Sequence, residues 1–186
     1  SGWAQVHEYE PEDRCEVELG RSYGTVIGMG VEKEGDFISS EEEGLETVVA
    51  GREVLARIHE EYFGNTSASP FNALKEALVK VTKQFSNSKS KIEIGAAVYL
   101  KDTVYLAAIG GAQVWLLRGG MLAKILGSKE EKVVSASGYP ESQDVLLLGT
   151  KVFFEILTEG VIKASLEAPS PAAAVEILGP IVHSEN

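Results

Sequence analysis

The sequence has little of what several classes of protein require. It contains one cysteine, Cys15, so the chain cannot form an internal disulfide or a zinc site built from cysteines. A single cysteine also fits a reducing compartment, and we expect a cytoplasmic protein. The longest stretch without a charged residue, 103–117, has 15 residues, fewer than the roughly 20 of a membrane-spanning helix. The first residues lack the basic and apolar regions of a signal peptide.

Familiar motifs of catalysis and metal binding are also missing. The sequence contains no phosphate-binding G-x-x-x-x-G-K-[ST] loop, no G-x-S-x-G motif and no H-E-x-x-H motif. Its three histidines, His7, His59 and His183, lie far apart and do not have the spacing of metal ligands. These absences exclude the nucleotide-binding, serine hydrolase and zinc protease classes that those motifs define.

Acidic residues are concentrated at the start of the chain. Positions 1–62 contain 16 Asp and Glu against 5 Lys and Arg, whereas positions 63–186 contain 12 of each, so the net charge of −11 belongs to the first third. This charge disfavours nucleic acids and anionic membrane surfaces, which proteins bind through Lys and Arg. It favours solubility, and it also suits a basic partner or a cation.

Composition and length predict one globular domain over 1–186. Hydrophobic residues make up 44% and charged residues 24% of the 186 residues, which is typical of a folded protein. Positions 1–20 are polar, acidic and weakly patterned, which predicts a tail or an edge strand. The apolar segment 24–31 predicts a buried strand.

Two helices are predicted after this strand. Ser40 and Glu43 form a capping box, and Gly64 suits the end of the first helix. Ser69 as cap and Pro70 at the first helical position begin the second helix. We expect an antiparallel pair that buries both apolar stripes on one surface. The stripes consist of Leu45, Val48, Val49, Leu55, Ile58 and Tyr62 in the first helix and Phe71, Leu74, Leu78, Val81 and Phe85 in the second.

Short segments rich in Val, Ile, Tyr and Trp predict strands in the second half, at 92–100, 103–109, 112–117, 121–126, 132–136 and 144–148. Lys101-Asp102 and Gly119-Gly120 are predicted hairpin turns. Gly28-Met29-Gly30 and Gly110-Gly111 favour tight turns, with a close approach of the backbone to a ligand as the alternative.

Three helices are predicted to close the chain. Two short ones lie at 152–157 and 160–166, and a last one begins with Ser170 as cap and Pro171 at its first position. The last helix is expected to bury Val175, Leu178, Ile181 and Val182. Strands and helices follow one another in blocks rather than in βαβ alternation, which indicates an α+β fold with sheets between helix layers.

Four segments of the second half share a recognisable pattern. They are Gly95-Ala96-Ala97-Val98, V-Y-L-A-A-I-G-G-A-Q over 104–113, Gly119-Gly120-Met121-Leu122, and D-V-L-L-L-G-T-K-V-F-F-E-I-L-T over 144–158. In this order they resemble the G-x-x-A strand, the "LYVANVGDSR" segment, the "G-x-L-x-x-L" hairpin and the "D-x-L-L-L-C-S-D-G-L-x-D-x-L-S" segment of the metal-dependent protein phosphatases of the 2C type. The resemblance implies a four-layer α/β/β/α sandwich, lacking the family's final strand.

The resemblance also implies where a metal site would lie. In the family, aspartates hold two metal ions that activate a water for attack on phosphoserine or phosphothreonine, and such ions require several carboxylate oxygens. Aligned with the family's acids are Ile27-Gly28 or Gly28-Met29 for its D-G pair, Gly111 for the Asp of G-D-S-R, Lys151 for the Asp of S-D-G, Glu185-Asn186 for its final D-N pair, and Glu12-Asp13 for its N-terminal acidic pair. The family's arginines align with Glu8 and Gln113.

Most of the implied acids are therefore replaced. The resemblance with these replacements predicts a catalytically inactive phosphatase-like domain, without a cofactor, that serves as a regulatory or protein-binding module. A cation at Lys151 repels a metal ion, and we expect its ammonium to fill the metal position and pair with Glu12 or Asp13. The alternative for Lys151 is a surface lysine at the start of a helix.

Two other functions remain open. A divergent phosphoserine/phosphothreonine phosphatase would hold magnesium or manganese in a rebuilt site of Glu12, Asp13, Asp36 and Glu185. A structural domain of a longer protein is the third interpretation.

Overall fold

Eight strands and five helices make up the part of the chain that the computed structural model describes, which is residues 2–8, 24–33, 41–85, 90–129 and 132–184. In chain order they are β1 (Gly2–Glu8), β2 (Gly24–Lys33), α1 (Glu41–Gly64), α2 (Pro70–Phe85), β3 (Ser90–Leu100), β4 (Thr103–Ile109), β5 (Gln113–Arg118), β6 (Met121–Gly127), β7 (Val134–Gly138), β8 (Val145–Gly149), α3 (Lys151–Ile156), α4 (Glu159–Leu166) and α5 (Pro171–Ser184). None of these helices has the length and apolar character needed to cross a membrane.

The strands form two antiparallel sheets. One has five strands in the order β1-β2-β3-β4-β7, and the other has three in the order β6-β5-β8. Strand β1 lies at the edge of the larger sheet, within the segment 1–20 for which a tail or an edge strand was predicted. Consecutive strands β4 and β5 belong to different sheets, so the chain crosses from one sheet to the other at Gly110-Gly111.

Alternation along each strand creates the layers, because successive side chains point to opposite faces of a sheet. In β4, Ala107 and Ile109 pack with the buried residues of α1 and α2, whereas Val104 and Leu106 pack with Val114 and Leu148 of the other sheet. Helices α4 and α5 cover the outer face of the smaller sheet around Leu117, Ile162 and Leu178. The α+β fold and its α/β/β/α layers are thus as expected from the sequence.

The predicted helix pair is antiparallel. Lys80 Nζ lies 2.7 Å from Glu61 Oε2, and Asn65 Nδ2 donates to Glu76 Oε2 at 2.7 Å, so positions advance along α1 as they recede along α2. At the predicted start of α2, the Ser69 hydroxyl accepts from the Asn72 N–H. The predicted capping residue of α1, Ser40, lies outside the described residues.

The glycine turn predicted at Gly119-Gly120 is confirmed, whereas the one predicted at Gly28-Met29-Gly30 is not. Gly119 and Gly120 have φ of +55° and +75°, as the primed hairpin turn requires. Strand β2 confirms that 24–31 is a strand, and because Gly28 and Gly30 lie within it, the tight turn predicted there is wrong.

One strand boundary and one side-chain orientation differ from the sequence predictions. The strand expected at 132–136 begins at Val134, which lies opposite Ala108 near the end of β4, and the Lys132 carbonyl before it accepts a hydrogen bond from the Ser128 hydroxyl at 2.7 Å. In α5, Val175 is 53% exposed and Ala174 is buried in its place, so the prediction that Val175 points inward is wrong. Helical spacing places either residue on the face of Leu178, and the smaller alanine fits against the neighbouring layer.

An acidic and basic cluster marks the end of the sandwich where β5 finishes and β8 starts. Arg118 donates from Nε and Nη2 to the two carboxylate oxygens of Asp144, at 2.9 and 2.5 Å, and Asp144 also accepts from the Glu141 N–H. These hydrogen bonds, that from Arg118 above all, hold the pKa of the nearly buried Asp144 below its ordinary value, against the opposing effect of desolvation.

A pair of alanine substitutions tests the corrected orientation of α5. We expect Leu178→Ala to lower the free energy of unfolding by about 2–5 kcal/mol because it leaves a cavity. Val175→Ala should change it by no more than about 0.5 kcal/mol because the side chain is exposed. Urea unfolding followed by circular dichroism measures both, and equal losses for the two variants would contradict this orientation.

Replacement of Asp144 should have a pH-dependent effect. Because the pKa of Asp144 is lower in the folded chain, its ionised form stabilises the protein above the ordinary Asp value of about 4, and this stabilisation is lost as the pH falls through the folded pKa. We expect Asp144→Asn to lower the urea midpoint at pH 7 and to differ less from the wild type at pH 3. Asp102→Asn, on the exposed turn after β3, is the control. A deficit that is unchanged between the two pH values would contradict the assignment.

Candidate functional site

Three segments meet at the opposite end of the sandwich from Arg118. They are the start of β3 with Glu93, the glycine turn after β4 with Gly111, and the start of α3 with Lys151. A Cβ atom built on Gly111 would lie 2.8 Å from Glu93 Oε1 and 3.4 Å from Lys151 Cβ. The structure therefore brings together two of the positions that the resemblance selected, Gly111 and Lys151, with a third residue that it did not.

The turn at Gly110-Gly111 requires both glycines. Their φ angles are +79° and +118°, which other residues rarely adopt. A Cβ on Gly110 would lie 2.1 Å from the carbonyl oxygen of Ile92, so the turn is pressed against the backbone of β3. The tight turn predicted from this glycine pair is confirmed, and the close neighbour is the chain's own strand.

Glu93 is the buried charged group of this site. Its residue is 6% exposed, and its Oε2 accepts a hydrogen bond from the backbone N–H of Lys151 at 2.6 Å. Hydrogen bonds to a carboxylate are stronger than those between neutral groups, and they offset the cost of removing it from water. Among the described residues, no buried side-chain nitrogen or oxygen lacks a hydrogen-bond partner.

The sequence around α3 explains why its first turn sits at Glu93. Thr150 is the buried N-cap residue, and its hydroxyl accepts from the Phe153 N–H at 3.3 Å. A Cβ on Gly149 would lie 2.7 Å from the Phe153 ring and 2.9 Å from the Phe154 ring, so both rings pack against a bare glycine. Trp115 of β5 stacks on Phe154 with 5.4 Å between ring centroids. These contacts fix α3 on the end of the smaller sheet.

Lys151 contributes its backbone to Glu93 and turns its side chain elsewhere. The side chain is 58% exposed, and Nζ lies 3.6 Å from Glu155 Oε1, one helical turn further on. Glu12 and Asp13, the acids with which its ammonium was expected to pair, lie outside the described residues, and that pairing stays a prediction. The donor that reaches Glu93 is the amide, a group that the sequence analysis did not consider.

The register of β2 places the residues of the two D-G alignments relative to Glu93. Gly30 lies opposite Glu93, and Met29 lies opposite Ile94. Paired residues share a face of the sheet, so Gly28 and Gly30 lie on the face of Glu93, towards the second sheet. Ile27 lies by register on the other face. At the start of β5, Gln113 accepts a hydrogen bond from the Trp115 indole N–H.

The described residues do not fit a two-metal centre. No three His, Cys, Asp or Glu side chains among them come together in a way that would hold a metal ion, and such a centre needs several carboxylates. Asp36 and Glu185, like Glu12 and Asp13, lie outside the described residues. Sequence analysis missed Glu93, although an acid between Ile92 and Ile94 in an apolar strand was the available signal.

The arrangement of layers is similar to that of solved bacterial phosphatases. The serine/threonine phosphatase PstP/Ppp of Mycobacterium tuberculosis superposes with a TM-score of 0.63 at 14% identity, over 98% of this chain and 91% of that one. The PPM Ser-Thr phosphatase MsPP of Mycobacterium smegmatis gives 0.61 at 12% identity, over 99% and 92%. PppA of Pseudomonas aeruginosa, a key regulatory component of T6SS, gives 0.61 at 14% identity, over 99% and 91%.

The similarity is one of structure. No protein-family model matches the sequence, and no curated protein matches it either. At identities of 12–14%, what the likeness establishes is the fold, which is that of the protein phosphatase 2C type. The fold expected from the four segments of the second half is thereby confirmed.

Restoring the family's acid at Gly111 should destabilise the chain. We expect Gly111→Asp to lower the free energy of unfolding by at least about 1–3 kcal/mol, since φ is +118° and the new Cβ would meet Glu93 Oε1. Gly119→Asp is the matched control, because Gly119 also has positive φ but no neighbour within 4 Å. Urea unfolding measures the free energy of unfolding of both variants. An unchanged stability for Gly111→Asp would contradict the prediction and show that the site has room for the acid.

Proposed function

We propose that this chain is a phosphatase-like domain without catalytic activity that serves as a regulatory or protein-binding module. The observation that supports it is that Glu93 fills the space beside Gly111, the position where the resemblance places a metal-binding aspartate. At Gly111 there is no side chain, and the volume that one would need is taken by Glu93 Oε1. The fold is kept while the oxygen donors implied by the family are absent from three of its aligned positions, Gly28, Gly111 and Lys151.

The hydrogen bonding of Glu93 also argues against a role as a metal ligand. Its Oε2 already accepts from the Lys151 N–H, and a helix start favours a negative charge at this point. Moving this carboxylate onto a cation would leave a backbone N–H without its acceptor, which costs free energy when the group is buried. Position 151, which aligns with an aspartate, carries a lysine whose side chain supplies no oxygen ligand.

A rebuilt metal-dependent phosphatase is the second candidate, and Glu93 is the observation that favours it. A buried carboxylate stands next to the aligned positions, and it would add one oxygen ligand to those expected from Glu12, Asp13, Asp36 and Glu185. The PstP catalytic domain has been solved in complex with two manganese ions. Magnesium or manganese would be the corresponding cofactor here, activating water for hydrolysis of a phosphoserine or phosphothreonine.

Turnover assays separate the two candidates. We expect the full chain to hydrolyse neither p-nitrophenyl phosphate nor a phosphothreonine peptide above the rate of the buffer with the same metal, at millimolar magnesium or manganese. Calorimetric titration with manganese should give no saturable heat. Metal-dependent turnover that falls at least about tenfold in Glu93→Gln would overturn this proposal and establish the second candidate, since that variant retains shape but loses an anionic ligand.

The binding half of the proposal needs purified components. A protein captured by the immobilised chain from its source cells should bind the purified chain with a Kd of about 10 μM or tighter, in the presence of EDTA. A regulatory module should also change a measurable property of that partner, such as its activity or its assembly. If none of the captured proteins binds the chain once it is purified, the binding part of the proposal is contradicted. The result of the turnover assays is independent of this outcome.

A further inference from the structure

We propose that the hydrogen bond from the Lys151 N–H to Glu93 Oε2, here called the carboxylate bridge, is a metal-independent connection between the two sheets. Glu93 belongs to β3 of the five-stranded sheet, whereas Lys151 follows β8 of the three-stranded sheet with Thr150 between them. The two bonded residues are 58 positions apart in the chain. The bridge thus crosses the interior of the sandwich and joins the start of one strand to the start of α3.

Apolar and polar contacts lie side by side at this end of the sandwich. A Cβ on Gly95 would lie 3.6 Å from Leu148 and 3.9 Å from Ala112, so β3 approaches the second sheet closely here, against the side chain of Leu148. Val114 and Leu148 are paired in the second sheet directly beside Gln113 and Gly149. The carboxylate bridge adds a polar contact to these apolar ones where β3 meets the start of α3.

Residue 93 and residue 111 also depend on each other. The carboxylate of Glu93 occupies the space into which a side chain at Gly111 would extend, at 2.8 Å from its Cβ. A glutamate with this conformation and an aspartate at 111 cannot both fit, and two carboxylates at that distance would also repel each other. We infer that these two residues form one coupled replacement, in which the chain's own carboxylate stands where the family's acid would be.

Amide exchange of Lys151 tests the carboxylate bridge directly. We expect its N–H to be protected in the wild type and to exchange at least about tenfold faster in Glu93→Ala, because the donor loses its acceptor. Glu155→Gln is the matched control: it removes the partner of the Lys151 ammonium, 3.6 Å away, and leaves the backbone bond intact. Equal exchange of Lys151 in the wild type and Glu93→Ala would overturn the proposal.

A milder variant keeps the test decisive if Glu93→Ala does not fold. Glu93→Gln retains the size of the side chain and one carbonyl oxygen, so we expect it to fold and to lose part of the protection of Lys151. Faster exchange confined to Lys151 and its neighbours in α3 supports the bridge. Protection as high as in the wild type would show that the charge of Glu93 contributes nothing, which contradicts a carboxylate bridge.

A double-substitution cycle tests the coupling of residues 93 and 111. Gly111→Ala should lower the thermal midpoint by several degrees in the wild type and by less in Glu93→Ala, because the clash with Oε1 is gone while the strain of positive φ remains. Additive losses in the two backgrounds would contradict the coupled replacement. Gly120→Ala, at positive φ in open space, gives the loss that strain alone produces.

Metal dependence distinguishes the bridge from a metal ligand. The thermal midpoint of the wild type should stay within about one degree in EDTA and in millimolar manganese, since a ligand that binds only the folded state would raise it. A rise of several degrees in manganese that disappears in Glu93→Gln would overturn the bridge. This outcome is independent of turnover. An inactive chain can lack the carboxylate bridge, and an active chain can keep the bridge and use residues elsewhere for hydrolysis.

Discussion

A buried carboxylate needs hydrogen-bond donors, and this need of Glu93 constrains the residues around it. Its charge lies between two sheets, where water is scarce, so the position of a donor is a condition for folding in this way. The Lys151 N–H meets part of this condition, and the N-cap at Thr150 and the packing of Phe153 against Gly149 hold that N–H in place. Glycine at 111 is the other consequence, because the carboxylate leaves no room there for a side chain.

The fold of this chain is held together by features other than a metal site. Layers, strand order and helix positions depend on apolar alternation and on turn glycines, none of which involves a metal ligand. The core therefore does not depend on acids at the site end. Fold and activity are separate properties, so these layers by themselves assign no activity to the chain.

Local patterns in the sequence predicted the elements but not the residue at the centre of the site. Strands β3 to β6 and helix α2 were found nearly at their observed bounds because period-two alternation, glycine turns and a Ser-Pro start each act within a few residues. Val175 was misplaced because helical spacing leaves a choice between neighbours, and the tight turn at Gly28 was wrong because glycines occur within strands as well as in turns. Glu93 was missed because its partner is 58 residues away, a contact that no local pattern encodes.

The two ends of the sandwich supply hydrogen bonds to their acids by different means, and the difference matters for how the sequence is interpreted. At one end Asp144 is paired with the side chain of Arg118, so the identity of both residues carries the interaction. At the other end Glu93 is paired with a backbone amide, which every residue except proline can supply. The ammonium of Lys151 drew attention in the sequence because it replaces an acid, yet the described contacts use it only at the surface with Glu155. What the site requires of position 151 is a peptide N–H at the start of a helix, and the residue that constrains its neighbours is Glu93.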